Sequence, residues 1–312
     1  MRVLHLVTHR SPFFDRRIER LRERGHACDV VPVPGRDSDD RAERKAARRS
    51  VHHYLRFYGR VLSAARDDYD LVHAHYGLTA PFALAQPRRP VVLTLWGSDL
   101  MGEFGWVSER CARLVDETVV MSDEMATSLD GDATVVPHGV DLDLFRPMDP
   151  ARARREVGWD PDAAHVLFPY TPDRAVKNYP LAERVVDGVR SRLDREVRLH
   201  AVYEVEQAAV PTYMNAADAL LLTSRREGSP NTVKEALACN LPVVATDVGD
   251  VRDRLDGVTP SAVCADESAL TTALRRVLDR EERSNGRSAA QSLGVDQMAV
   301  RLEDVYRRAL GE

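Results

Sequence analysis

The chain has 312 residues and a mass of 34.9 kDa, which is more than one hydrophobic core usually serves and predicts two domains of about 150 residues each. It is 44% hydrophobic and 30% charged, a composition that fits a folded globular protein and excludes disorder, collagen and coiled coils. No hydrophobic run approaches the ~20 residues that span a bilayer, and the opening residues are too few and too polar for a signal peptide. We therefore expect a cytoplasmic protein.

Charge is distributed unevenly along the chain. The net charge is −5, yet residues 1–60 carry 15 Lys and Arg against 8 Asp and Glu, whereas the other 252 residues carry 29 against 41. The acidic bulk argues against nucleic acid as a partner. The four cysteines lie far apart without a Cys-x-x-Cys pair, which indicates neither a zinc site nor a disulfide framework.

Short β-branched or leucine-rich runs alternate with helical patterns from the first residues onward. This alternation is typical of a parallel sheet with crossover helices on its faces. In the first half we predict helices near residues 13–24, 41–66 and 108–114, and strands at 3–7, 27–33, 71–75, 91–95, 118–121 and 134–136.

A break follows at residues 137–150, where three prolines and a glycine indicate a domain boundary. The same alternation then resumes, and a last helix near 297–310 is expected to return to the first domain. We therefore predict one domain of residues 1–147 with 297–312 and another of residues 148–296, facing each other across a cleft, a common place for ligands. The predicted strands of the second half are 166–168, 197–201, 219–222, 243–245 and 262–264, and its helices lie near 179–192, 232–238 and 267–278.

The most informative segment is SRREGSPNTVKEALACN at residues 224–240, which follows a hydrophobic strand and opens a helix. The free N–H groups at the helix start, near Asn231 and Thr232, favour phosphate. Glu227 precedes the turn and Glu235 lies about one turn into the helix, so the two carboxylates are placed to bind different hydroxyls of one extended ligand. The alternative is a loop glycine between two solvated glutamates.

The spacing Glu227-x7-Glu235 within EGSPNTVKEALACNLPVVATDVGD resembles the donor-site signature of family 4 retaining glycosyltransferases. The resemblance implies that Glu227 approaches the transferred sugar and that Glu235 binds the nucleotide ribose. It implies a nucleotide-diphosphate sugar as co-substrate and no further cofactor, with UDP as our choice because it is the commonest donor base in the family. The donor-binding turn between the glutamates comprises Gly228, Ser229, Pro230, Asn231 and Thr232.

A second segment, PYTPDRAVKN at residues 169–178, puts two cations on the loop after the first strand of the second half. Arg forks onto two oxygens and Lys acts as a point charge, so together they offset the negative charge that grows on a departing diphosphate. The segment resembles the family's diphosphate clamp, with an altered opening and Arg-to-Lys spacing. The catalytic candidates are thus Arg174, Lys177 and Glu227, and the alternative for the two cations is a solvated loop.

In the first half, residues 70–78 and 92–99 resemble acceptor-side segments of the same family. Trp96 stands where the family usually has a histidine, and it either stacks on a sugar or packs in the fold. Residues 8–18 replace the glycine-rich loop of many relatives, and the lack of a G-x-G-x-x-G sequence argues against a dinucleotide-dependent oxidoreductase. We expect His73 and His75 to face opposite sides of their strand. The acceptor-side candidates are His9, Asp15, Arg16, His75, Trp96, Gly97 and Asp99.

Residues 41–60 form a basic segment with seven Lys and Arg, one acid and several aromatic residues. One interpretation is a helix that makes peripheral contact with an anionic membrane at the inner face of the cell. The other is a solvated helix that packs its hydrophobic stripe on the first domain.

The resemblance extends over nearly the whole chain and implies an α/β GT-B architecture with two Rossmann-like domains. It implies transfer of a sugar to a hydroxyl of a glycan, lipid or small molecule, with retention at the anomeric carbon. No metal-ligand cluster is evident, and we expect the two cations to act in place of Mg²⁺. Two alternatives stay open, namely a nucleotide-sugar epimerase of the same architecture and a non-catalytic homologue that binds sugar or nucleotide.

Overall fold

The computed structural model describes residues 1–35, 50–86, 90–100 and 102–312. The chain forms two compact units, of which the first is Met1–Pro137 with Asp296–Glu312 and the second is His138–Val295. The division falls ten residues before the predicted boundary. The reason is that residues 138–147, which we call the linker, pack with the second unit. Val140 pairs with Gly294 in a parallel bridge, and Phe145 is buried in a core of the second unit.

The first unit contains a parallel sheet with the strand order β2-β1-β3-β4-β5-β6. Its strands are β1 (Arg2–Val7), β2 (Ala27–Pro32), β3 (Leu71–His75), β4 (Val91–Thr94), β5 (Glu117–Val120) and β6 (Thr134–Val135). Its helices are α1 (Pro12–Glu23), α2 (Val51–Ala64), α3 (Ala80–Leu84), α4 (Gly105–Ala112) and α5 (Asp123–Thr127), with a 3-10 turn at Gly77–Thr79.

The second unit contains a parallel sheet with the strand order β11-β10-β9-β7-β8. Its strands are β7 (Ala164–Phe168), β8 (Val197–Ala201), β9 (Ala219–Leu222), β10 (Val243–Thr246) and β11 (Ala262–Cys264). Its helices are α6 (Pro150–Val157), α7 (Tyr179–Arg190), α8 (Val210–Ala216), α9 (Asn231–Ala238), α10 (Val251–Leu255), α11 (Glu267–Arg280) and α12 (Gly286–Ala290), with 3-10 turns at Ala175–Lys177, Gln207–Ala209 and Gln291–Leu293.

The strands and helices follow from local chemistry. Every residue of β7 and β9 is buried, as expected for parallel strands covered by helices on both faces. Ser11, Asp149 and Asp266 each accept a hydrogen bond from the backbone N–H three residues later, which satisfies a donor that a helix start leaves open. The predicted two-sheet α/β architecture is confirmed.

The last helix, α13 (Val295–Leu310), packs on the first unit. Leu302, Val305 and Tyr306 lie in the core beneath the first sheet. Glu303 accepts two hydrogen bonds from the Arg24 guanidinium, at 2.6 and 2.8 Å. Hydrophobic burial and a bidentate ion pair therefore join the end of the chain to its beginning.

In both sheets, the order in which the chain adds strands reverses at the first strand. The chain runs from β1 to β2 on one side and then returns to β3 on the other side of β1, and β7, β8 and β9 repeat this order. In open parallel sheets, ligands bind outside the carboxyl ends of the strands at such a switch point. The loops after β7 and β9 are therefore candidate ligand loops in the second unit, as are those after β1 and β3 in the first.

Candidate functional site

The loops after β7 and β9 carry the predicted donor-binding residues. The two strands are adjacent in the second sheet, so their carboxyl ends deliver both loops to the same edge. One loop enters the turn Ala175–Lys177, and the other enters α9. The sheet order therefore brings together two segments that lie about fifty residues apart in sequence.

Lys177 and Glu227 form an ion pair at this edge. Lys177 is 5% exposed, and Ser224 Oγ donates a 2.6 Å hydrogen bond to the Glu227 Oε1 that accepts from Lys177. Burial lowers the pKa of Lys177, and the adjacent Glu227 carboxylate opposes that change. The ammonium and the carboxylate are both held by several partners before any ligand arrives.

Tyr170 connects the two loops. Its ring centroid lies 3.7 Å from Lys177 Nζ, a cation–π distance, and its hydroxyl forms a 2.6 Å hydrogen bond with Thr232 Oγ1 in the first turn of α9. Arg174 is exposed, with its guanidinium carbon 5.9 Å from the same ring. Burial raises the pKa of Tyr170, so the phenol stays neutral. Tyr170 was not among the predicted residues, although it lies within the segment that contains both cations.

Glu235 lies in the buried part of α9. It is 7% exposed, and burial raises its pKa from 4.5 to about 7, with the neighbouring Lys234 acting in the opposite direction. A carboxylate in this environment gains from hydroxyl donors that replace the water it has lost. Glu235 is thus suited to accept hydrogen bonds from a polyol such as a ribose.

The turn Gly228–Thr232 is held by the loop after β10. The Asp250 N–H donates a 3.0 Å hydrogen bond to the Gly228 carbonyl. Gly249 has φ +54°, and a Cβ added there would lie 2.1 Å from the same carbonyl oxygen. Only glycine fits this close approach of two backbones. Gly249 was not predicted as a site residue, because its partner lies on another loop.

In the first unit, Asp99 ties together the loops after β3 and β4. It is 4% exposed and accepts hydrogen bonds from the backbone N–H groups of Gly77 and Trp96, at 3.0 and 2.7 Å. Burial raises the pKa of Asp99, and the two N–H donors oppose that change. Gly97 has φ +89°, and the Arg17 guanidinium lies 5.3 Å from the Trp96 ring. An acceptor contact for Trp96, Gly97 and Asp99 stays a prediction.

Three other acceptor-side candidates lie around the start of α1. His9 is exposed, and its Nδ1 lies 3.3 Å from Thr8 Oγ1. Asp15 accepts a 2.7 Å hydrogen bond from Arg10, and Arg16 donates one of 3.2 Å to Glu19. These residues follow β1 at the switch point of the first sheet, and their acceptor role also stays a prediction.

His73 and His75 do not face opposite sides of β3. Their rings stack with centroids 3.9 Å apart, because residues two apart in a strand share a face. His75 is 1% exposed and forms a 3.0 Å hydrogen bond with His5. Its acceptor role stays a prediction, and its position in the core argues for a structural one.

The same histidines lie close enough to be considered as metal ligands, with candidate atoms of His5, His73 and His75 within 4.8 Å of one another. Several of these nitrogens already make hydrogen bonds, however. Both ring nitrogens of His73 are bonded, to Tyr306 Oη and Thr94 Oγ1. A metal ion lies in the plane of each imidazole that binds it, so stacked rings cannot both direct a lone pair at one ion. We interpret the cluster as a hydrogen-bonded core network, in which burial lowers the pKa of His5 and His73.

Two family models match the chain. One, described as Glycosyltransferase Family 4, matches residues 15–144, and the other, described as Glycosyl transferases group 1, matches residues 178–280. D-inositol 3-phosphate glycosyltransferase 2 from Catenulispora acidiphila is 28% identical over 78% of this chain and 71% of its own length. The lipopolysaccharide core biosynthesis mannosyltransferase LpsB from Rhizobium meliloti is 27% identical over 65% of this chain and 68% of its own.

Solved structures share the fold. A sucrose-phosphate synthase from Thermosynechococcus elongatus superposes with a TM-score of 0.73 at 17% identity, covering 98% of both chains. HepE from Anabaena, in complex with UDP, gives a TM-score of 0.73 at 15% identity and covers 97% of this chain and 99% of its own. At these identities the likeness establishes the architecture alone.

Proposed function

The chain belongs to glycosyltransferase family 4, and we propose that it holds a nucleotide-diphosphate sugar on the loops after β7 and β9. The contact between Lys177 and Glu227 supports this proposal most directly. A glycosidic oxygen joins the sugar to the diphosphate, so a group that binds the phosphate and one that binds the sugar must lie side by side at the bond that breaks. The ion pair brings one candidate for each of these two tasks into contact, which supports the proposal.

Each proposed residue has a separate task. Lys177, together with the exposed Arg174, offsets the charge that develops on the diphosphate as the sugar leaves. Glu227 contacts the sugar, Glu235 accepts from the ribose hydroxyls, and the α9 start, from Gly228 to Thr232, directs N–H groups at phosphate. These side-chain cations supply the positive charge that a divalent metal provides elsewhere.

Transfer with retention requires the acceptor hydroxyl to attack the face from which the diphosphate departs. A leaving phosphate oxygen then takes the acceptor proton, so the step needs no separate basic residue on the opposite face. The cations that stabilise the departing charge are the groups that lower the barrier most. Nuclear magnetic resonance of the product's anomeric proton tests this, since inversion at that carbon would contradict it.

UDP is the donor nucleotide that we propose first, because HepE, which shares the fold, is solved with UDP and with UDP-glucose. A melting-temperature screen of UDP, GDP, ADP and TDP and their sugar conjugates tests this choice, since a ligand that binds only the folded state raises its melting temperature. One nucleotide that stands out fixes the donor class. A flat screen at millimolar ligand would contradict the donor site.

The same screen, followed by a turnover assay, separates the alternatives. The relatives described above are transferases, which supports transfer over epimerisation. An epimerase would convert the donor without an acceptor, and a non-catalytic homologue would bind the donor without turnover.

We also propose that α2 contacts an anionic membrane. Val51 and Leu55 are 76% and 64% exposed on α2, whereas Phe57 and Val61 on the opposite face are buried in the first core. Arg56 and Arg60 are exposed on the same helix, and the basic residues Arg41, Arg44, Lys45, Arg48 and Arg49 lie outside the described residues.

Hydrophobic side chains flanked by arginines suit the boundary between lipid headgroups and acyl chains. Within the described part of the chain, no helix is long and apolar enough to cross a membrane. Sedimentation with liposomes tests the contact, with Leu55→Ser as the variant and Ser63→Ala on the same helix as the control. Binding that is indifferent to lipid charge would reject it.

A further inference from the structure

Lys234 is a buried lysine inside the helix that carries Glu235. It is 1% exposed, and lysines are almost never fully buried unless the ammonium has partners. Nζ donates to the His138 carbonyl oxygen at 2.8 Å and to Ser229 Oγ at 3.2 Å. The donor site proposed above assigns this ammonium no role.

The two partners of Lys234 belong to different segments of the second unit. Ser229 lies in the turn Gly228–Thr232, which we call the donor turn, and His138 is the first residue of the unit. The segment after His138 is firmly seated: a Cβ on Gly139 would lie 2.5 Å from Val295 Cα, and the Val295 N–H donates a 3.0 Å hydrogen bond to the Val140 carbonyl. The His138 carbonyl is therefore a fixed anchor for the ammonium.

We infer that Lys234 is a positioning residue that fixes the donor turn to the linker peptide at His138 and keeps a positive charge beside Glu235. The inference rests on the proposed donor site, and Lys234 itself contacts no donor atom in it. The Lys234 ammonium bonds back to Ser229, which precedes the first residue of α9. It therefore sets where Ser229 and the N–H groups at the start of α9 lie. A nonpolar residue of the same volume would fill the space but would leave the turn unanchored.

The second part of this role is electrostatic. Among the described residues, the titratable groups that interact with the charge of Glu235 include Lys234 on the same helix, Tyr170 on the loop after β7, and Cys239 at the end of α9. Lys234 is the cation among them, and it lowers the pKa of Glu235 against the larger effect of burial. Its removal therefore favours the protonated form of Glu235, which accepts ribose hydroxyls less well.

Calorimetric titration with UDP between pH 6 and 9 tests the inference with Lys234→Met and Ser229→Ala. Lys234→Met weakens UDP binding about tenfold at pH 8, because the ligand must then order a donor turn that has lost its charge-assisted anchor, and it moves the pH midpoint of binding upward from the wild-type value. Ser229→Ala weakens binding without moving the midpoint, because the ammonium remains. A purely structural role for Lys234 would lower stability and leave the midpoint unchanged.

Hydrogen exchange of the protein without ligand provides an independent arm. Lys234→Met accelerates exchange of the Asp250 amide, which bonds to the donor turn, of the Val140 amide in the linker, and of the Val295 amide, which bonds to the linker. Ser229→Ala accelerates exchange of the Asp250 amide alone. Wild-type exchange in both variants would overturn the inference, even if Lys234→Met proved too unstable for titration. If the wild-type protein does not bind UDP, the proposed donor fails, and the exchange arm still decides the role of Lys234.

Discussion

Replacement of Glu235 by glutamine tests the buried carboxyl group of the proposed donor site. Burial raises the pKa of Glu235 from 4.5 to about 7, so the folded protein holds a proton there that the unfolded chain has already lost. The stability of the ligand-free protein is therefore greatest below pH 4.5 as far as this group is concerned, and it falls as the pH rises through 7. A rise from 4.5 to about 7 corresponds, at 1.36 kcal/mol per unit of pKa, to about 3 kcal/mol of unfolding free energy above pH 8.

Glutamine carries no proton that titrates in this range. We expect Glu235→Gln to be more stable than the wild type at pH 9, by about 2 to 3 kcal/mol more than any difference at pH 5. Urea unfolding of both proteins at the two pH values measures this, and Glu206→Gln, the same change at an exposed residue, is the control. An equal difference at pH 5 and pH 9 would refute the reasoning.

Nucleotide binding depends on pH in the opposite sense. In the proposed donor site the ionised carboxylate accepts the ribose hydroxyls, so we expect wild-type affinity for the donor nucleotide to fall as the pH falls below 7. Glu235→Gln binds more weakly at pH 8, and its affinity changes little between pH 6 and 8. Greater stability combined with weaker binding in one variant is typical of a site whose charge is retained for function.

Three further substitutions test Lys177, the donor turn and the ion pair between the two ends of the chain. Lys177→Ala lowers kcat about a hundredfold, as for loss of one group that stabilises developing charge, while nucleotide affinity falls less; an unchanged kcat would contradict the assignment. Gly249→Ala places a Cβ 2.1 Å from the Gly228 carbonyl oxygen at φ +54°, so nucleotide affinity and melting temperature fall together, and Gly257→Ala, also at positive φ but without a close neighbour, lowers stability alone. The Arg24 guanidinium holds the pKa of Glu303 down at about 2, so its stabilising effect is present above pH 4.5 and is lost as the pH falls towards 2. Melting curves of Glu303→Gln lack that acid dependence, and curves parallel to the wild type would show that the contact contributes nothing.

The sheets were predictable because their signals are local. β8, β9 and β11 begin and end at the predicted residues, since each is a short β-branched or leucine-rich run between turn residues. Short helices such as α3 and α5 were missed, because five residues make less than two turns and show no helical period.

Within the candidate site, the sequence predicted charged residues, whose roles stay a prediction, and missed the residues that hold them. The spacing of Glu227 and Glu235 is readable along one segment. Tyr170 bonds to Thr232 across 62 residues, and Gly249 approaches the donor turn from a third loop, so neither has a local pattern. Both contacts follow from which strands are neighbours, and that order is a property of the assembled sheet.

The domain boundary shows the same limit. Prolines at 147 and 150 indicated an end after residue 147, yet the first residue of the second unit is His138. Arg287 donates to the carbonyls of Leu142 and Phe145, which holds the linker on the second unit. Turn residues in the sequence do not indicate a boundary that is set by such long-range hydrogen bonds.

In the proposed donor site, the loops after β7 and β9 recognise a diphosphate through Lys177 and Arg174. Calorimetric titration of the wild type and of Lys177→Ala with UDP and with UMP tests it most directly, because the two ligands differ only in the phosphate that the cations would bind. We expect the wild type to bind UDP much more tightly than UMP and Lys177→Ala to lose most of this difference. Equal affinity of the wild type for both nucleotides would contradict it.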